Sequence, residues 1–264
     1  MFPEASSEHP TAGPKDVLAL AGHISDLVGT AVETGSSLTH EYPGWESRDF
    51  RRTFFVKFSV VCQATVAALS FQANCLMRSD WWRSANSVLG IPADATDDQL
   101  AGHARAFFVF ARCGFTHLIF SQIEATLRAF LRTLVPSAVN GASGEFKNVY
   151  ECLLRTHLGM GRNANESVLT RLDLFRMIRN LIHNNGLYLS RRAQDEAIVF
   201  RGVLFRFRHN QHALMVGWPT LIDLIGALLA DMEGVVRHPA IADYPAVIED
   251  PVLEHEVAAV DPRK

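Results

Sequence analysis

Hydrophobic positions recur at a helical period along most of this chain and alternate only once, late in it. Leu18, Leu20, Ile24, Leu27, Val28 and Val32 form a stripe that predicts a helix over about 17–37, ended by the turn residues Tyr42-Pro43-Gly44. Phe54, Phe58, Val61, Thr65, Ala68 and Phe71 then line one side of a long apolar helix over 50–77. Trp81-Trp82 follow as a packed corner, and Gly90-Ile91-Pro92 breaks the chain. An acidic start at 94–98 opens a helix over about 99–134 that Pro136 stops. Phe108, Ala111, Phe115, Leu118, Ile119, Ile123, Leu127, Phe130 and Leu134 make its core face, with a bend or break marked by Gly114. His117, Ser121, Glu124 and Arg128 share another side. A loop at 140–144 precedes a shorter amphipathic helix over 145–158.

After the small loop at 159–163, which lacks the lysine of a phosphate-cradling P-loop, Asn165-Glu166 opens a helix that ends at His183. Leu174, Phe175, Ile178, Leu181 and Ile182 share one face; Arg176, Arg179, Asn180 and His183 share the opposite one. Asn184-Asn185-Gly186 closes the helix with residues suited to a left-handed end. The period then changes to two. Ile198 to Phe200 and Val203 to Phe207 read as strand, with a turn at 208–211 and a returning strand over 212–216. Trp218-Pro219-Thr220 starts a last helix, ended by Pro239. The pattern therefore predicts a mainly α fold with one small β-hairpin at about 197–217. Residues 1–13 read as a disordered leader, 14–95 as an N-terminal helical layer, 96–238 as a helical domain carrying the hairpin, and 239–264 as a loose acidic tail.

Composition narrows the function classes. A chain of 264 residues, 48% hydrophobic and 20% charged, can bury a sizeable core. Its formal net charge of −3 offers no global field for nucleic acid, so any RNA contact must be local. The four cysteines (Cys62, Cys75, Cys113, Cys152) form no C-x-x-C pair and sit in apolar patterns, as buried thiols of a reducing, cytoplasmic compartment do. No ligand spacing for a metal and no cofactor motif is read; His209 and His212 flank the predicted turn as exposed residues. His117 reads as an interior or boundary group, and Trp81, Trp82 and Trp218 as core anchors. No signal peptide is visible, and Lys57 and Gln63 within the apolar stretch 54–71 favour a core helix over a membrane span.

The polar stripe is the candidate for chemistry. Arginine holds phosphate through a planar two-donor fork and stays charged. Histidine moves protons near neutrality. RNA carries its own nucleophile, the 2′-hydroxyl, so cleaving it needs little beyond proton transfer and charge stabilisation. Eight arginines (Arg171, Arg176, Arg179, Arg191, Arg192, Arg201, Arg206, Arg208) lie between positions 171 and 208, against Asp173, Asp195 and Glu196.

Arg-Asn-x-x-His-Asn-Asn-Gly at 179–186 resembles the motif helix of HEPN-superfamily domains, in which an arginine precedes a histidine by four to six intervening residues. Six residues separate Arg176 from His183; three separate Arg179 from His183, but Arg179 has the polar neighbour Asn180. Which arginine matches stays open. The stretch from Ser121 to Arg128 is similar to the earlier core helix of such domains, and the resemblance covers about residues 100–236. It implies a HEPN-like helical bundle, here with extra N-terminal helices, often a homodimer whose motif helices meet. It also implies either a metal-independent endoribonuclease of toxin–antitoxin or anti-phage defence systems, or an inactive binding scaffold. Under it His183 is the general acid/base, Arg179 or Arg176 grips the phosphate, and Asn180 positions one of them. Glu124, beside Arg128, would orient an arginine across the helix pair, Asn184 would contact RNA, and Arg171, Arg191 and Arg192 would extend the RNA-binding face.

The residues also allow a plainer account. His183 in a last helical turn complements the helix dipole, Arg176 can pair with Asp173, and Glu124 with Arg128. The same face would then serve a homodimer, an antitoxin or another partner protein, without catalysis.

Overall fold

A computed structural model of the chain describes residues 13–138, 142–160, 167–213 and 216–249. Residues 1–12 of the leader expected at 1–13 and the opening pair Asn165-Glu166 lie outside the described residues, as does part of the loop at 140–144. The fold is mainly helical, with two small antiparallel strand pairs.

Helix α1 (Pro14–Glu41) begins on a proline, with the Gly13 amide donating to Asp16 Oδ2 at 2.8 Å. It packs most extensively on α2 (Phe50–Phe71). The α1 core face is Val17, Ala21, Ile24, Ala31, Thr34 and Leu38, so the expected stripe is turned by one residue: Leu18 and Val32 are exposed. Small residues set this choice. A Cβ on Gly35 would lie 3.3 Å from Phe55 Cβ, so glycine there allows a close approach to the phenylalanine-rich α2, and Ala21 and Ala31 are buried. Phe54, Phe55 and Phe58 are fully buried. The helix widens at its end into a π-turn (Gln72–Leu76), then α3 (Ser79–Leu89) carries Trp81 and Trp82 in edge-on contact.

Helix α4 (Asp97–Leu134) starts on a Thr96–Gln99 capping box and runs unbroken past Gly114, without the expected bend. Phe115, Ile119, Ile123, Leu127 and Phe130 are buried, whereas Leu118 and His117 face solvent, against the core and boundary places expected for them. Helix α5 (Phe146–Tyr150) continues as a π-helical segment (Glu151–His157). Helix α6 (Val168–His183) is capped by Ser167, whose Oγ accepts from the Thr170 amide at 3.3 Å. It packs on α4 and on α7 (Trp218–Val236), burying Leu174, Phe175, Met177, Ile178 and Leu181. It ends as the sequence predicts: Asn185 and Gly186 are left-handed, and the Gly186 amide donates to Leu181 O at 2.7 Å.

The strands differ from expectation. β1 (Leu187–Tyr188) pairs with β4 (Gln211–His212), while β2 (Glu196–Phe200) pairs with β3 (Val203–Phe207) around the tight turn Arg201-Gly202. Both turn residues have positive φ, the geometry a right-twisted two-residue hairpin needs. The predicted turn at 208–211 exists, with Asn210 left-handed, but it leads from β3 into a two-residue strand. Leu214 and Met215 of the expected returning strand lie outside the described residues.

Residues 239–249 are not loose. A short helix α8 (Pro239–Ala242) and Ile248 are buried, and the Phe50 amide donates to Ile248 O at 2.9 Å. Arg51 secures this strap: it donates to both Asp49 carboxylate oxygens and to the carbonyls of Ile241, Tyr244 and Ala246 at 2.9–3.0 Å. The main apolar core runs from Val17 to Ile248 and so joins α1 and α2 to the later helices, while Leu76, Trp82, Leu100 and Ala104 form a smaller second cluster. Among the described residues, two helices, Phe50–Leu76 and Asp97–Leu134, are long and apolar enough to cross a membrane, with mean hydropathy 1.7 and 1.3.

Candidate functional site

The polar face of α6 forms one wall of an open cleft of about 670 Å³ between α4, α5 and the segment leading from β1 to β2. Arg176, Arg179, Asn180, His183 and Asn184 all line it, along with Glu124 from α4 and Arg191 and Arg192 from the opposite wall. Arg128 and Arg171 do not.

The two candidate arginines have different surroundings. Arg176 is held: its Nη2 lies 3.0 Å from Asp173 Oδ1 and 3.9 Å from Glu196 Oε2. Asp173 also accepts from the Tyr150 hydroxyl at 2.6 Å and lies 3.6 Å from Lys147 Nζ. Burial, with the Asp173 carboxylate beside it, pushes the Tyr150 phenol above its ordinary range, so it remains a donor. Burial and the hydrogen bond to Glu196 do the same for Tyr188. Burial opposes the charge on Arg176, but Tyr150 and Asp173 outweigh it and hold the guanidinium protonated.

Arg179 lies one helical turn on. Its Nη1 donates to Asn180 Oδ1 at 3.4 Å and its guanidinium carbon sits 5.5 Å from the centre of the Phe120 ring. Among the described residues it pairs with no carboxylate; its buried Nε has no acceptor, a feature it shares with Arg176. His183, four residues further and on the same face, is exposed, and its imidazole bonds to no described residue. The arrangement offers a phosphate-sized anion the Arg179 guanidinium, paired with no described carboxylate and backed by an aromatic ring, beside a proton-transfer group.

The charge of the cleft is closer to balance than the sequence window suggests. Arg171 is taken by Asp231 of α7 at 2.5 and 2.6 Å, on the other side of α6, so it cannot extend the cleft's basic face. Arg201 pairs with Asp223 at 2.7 Å and Arg191 with Glu145 at 2.8 Å. These carboxylates lie outside the window 171–208. Glu124 is bound by Arg128 on its own helix at 2.5 Å and so does not orient an arginine of α6; Arg128 in turn holds the Ala142 carbonyl. Arg192 is exposed on the rim.

Sequence reasoning missed Tyr150, Asp173, Glu196 and Tyr188 as a hydrogen-bonded set, and the Phe120 platform, because their partners are brought together only by the fold. His209 has a structural use: its Nδ1 accepts from the Ser190 amide at 3.1 Å, fastening the outer wall of the cleft. Among the described residues, no three His, Cys, Asp or Glu side chains gather as metal ligands would. No family model matches this chain, and no curated protein or solved structure is significantly similar to it.

Proposed function

We propose that the α6 cleft binds an RNA phosphodiester and cleaves it as a metal-independent endoribonuclease, the activity implied by the resemblance of 179–186 to the HEPN motif helix. One observation carries the reading: Arg179, Asn180 and His183 are presented together on an open cleft, with Arg179 paired to no carboxylate among the described residues while its neighbour Arg176 is locked to Asp173. This assigns the phosphate grip to Arg179 and leaves Arg176 to shape the site. In the reaction His183 takes the proton of the 2′-hydroxyl, and the 2′-oxygen bonds to phosphorus. The bond from phosphorus to the 5′-oxygen breaks, and that oxygen leaves protonated from water. Arg179 stabilises the charge that builds on the phosphoryl oxygens. The products are a 2′,3′-cyclic phosphate and a 5′-hydroxyl end. A homodimer would set two such motif helices against one RNA, a format suited to a toxin or to anti-phage defence in the cytoplasm.

The near balance of charge around the cleft supports a second reading, a non-catalytic module whose α6 face binds a second copy, an antitoxin or another protein. Incubation of mixed cellular RNA with the protein in EDTA, beside His183→Ala, separates the two. Cyclic-phosphate ends formed by the wild type and lost in the variant support the nuclease. No cleavage by either protein supports the interaction module. Equal cleavage by both removes His183 from the mechanism.

A further inference from the structure

A second cavity, of about 360 Å³, lies away from α6, between the start of α1, the π-turn at the end of α2, α3 and the start of α4. Its walls are largely apolar, with Val17, Leu76, Trp82, Leu100 and Phe108 among them. Val17 belongs to the main core, whereas Leu76, Trp82, Leu100 and Ala104 form a separate buried cluster, so the cavity keeps two apolar bodies apart.

One polar side chain is built into this wall. Gln72 is 3% exposed, and its Nε2 donates to the Ala104 carbonyl at 3.1 Å. That bond fixes the amide orientation, because a carbonyl oxygen can only accept. Gln72 Oε1 is left buried with no donor. Buried acceptors are nearly always satisfied, so an orphan in a cavity wall marks a place for a ligand atom. Of the other polar groups in the lining, Trp82 Nε1 donates to Leu76 O at 2.6 Å, Asp97 pairs with Arg83 at 2.5 Å, and Arg105 is exposed to solvent. The backbone at this point is also irregular. The Met77 amide donates to Gln72 O at 3.0 Å, a π-helical bond of the kind that recurs at functional sites.

We propose that this cavity is a binding site for a compact apolar molecule bearing one hydroxyl or N–H donor, seated with that donor on Gln72 Oε1. The volume is near the lower end for small-molecule pockets, which suits a body of one or two fused rings. The largely apolar walls suit an uncharged body, and the buried orphan acceptor selects a donor over an ether or a carbonyl.

Isothermal titration of the full chain with 2-naphthol and with 2-methoxynaphthalene tests this, because the two probes share a ring system and differ in the donor. The site requires one 2-naphthol bound per chain, with the ether at least tenfold weaker. Gln72→Leu should abolish that preference. Ala101→Phe, at a solvent-exposed lining position, should block 2-naphthol while leaving the melting temperature unchanged, and it decides the matter if Gln72→Leu does not fold. Binding of neither probe, equal binding of both, or a preference that survives Gln72→Leu would overturn the assignment.

Discussion

Arg51 and Arg179 both lie against aromatic rings, 4.6 Å from Trp45 and 5.5 Å from Phe120, and there the likeness ends. Arg51 is 2% exposed, and Nε, Nη1 and Nη2 all donate, to one carboxylate and four main-chain carbonyls. Such a charge tolerates burial because its donors are matched by acceptors. Arg179 has one long bond to a neighbouring amide and an Nε without acceptor, and it faces an open cleft. A saturated guanidinium ties the chain together. An unsaturated one, partly withdrawn from water and aimed at a cleft, has donors in reserve for an anion.

Substitutions at a graded series of arginines can break this distinction. Arg51→Met strands the Asp49 carboxylate, 0% exposed, without its counter-ion. Loss of one partner of a buried pair costs about 3–5 kcal/mol, and in a chain of this length the melting temperature should fall by roughly 10 °C in a calorimetric scan. Arg51→Lys keeps the charge but not the fork, and should still lose about 2 kcal/mol in denaturant titration, since three donors cannot serve both Asp49 and the carbonyls of 241–246. Arg171→Gln breaks the half-buried pair with Asp231 and should cost about 1–2 kcal/mol by the same titration. Arg176→Gln should cost about 1 kcal/mol and, under the proposed mechanism, reduce cleavage less than loss of Arg179 does. A larger cleavage defect at Arg176 than at Arg179 would reverse the roles given to them.

Much of the helical frame was legible. Leu174, Phe175, Ile178 and Leu181 are buried as their spacing predicts, because a helix packed on one side must place such residues there. Gly186 was legible as a helix end, since few other residues accept a positive φ at that point. The Arg201-Gly202 turn was not, because Arg208 to Gln211, with its asparagine, carries stronger turn chemistry. The strap at 239–249 was also hidden. Arg51 recognises carbonyl oxygens there, which every residue type possesses, across 190 or more positions. In the site, the stripe Arg176–Arg179–Asn180–His183 could be read from periodicity alone. The pairing of Arg176 with Asp173 was legible too, at three residues' spacing, but the Tyr150 hydroxyl on Asp173 and Glu196 beside Arg176 come from distant segments that no local pattern announces.

The most direct test of the account is a paired measurement on Arg179→Ala: its melting curve, and its rate of RNA cleavage in EDTA, each beside the wild type. The account predicts a melting curve displaced by less than about 1 kcal/mol in stability, since the side chain gives up only a long bond to Asn180 and its place over the Phe120 ring, and a cleavage rate lower by about 100-fold, the scale of losing one transition-state donor. A variant that cleaves RNA at the wild-type rate, or one that melts as early as Arg51→Met, would contradict it.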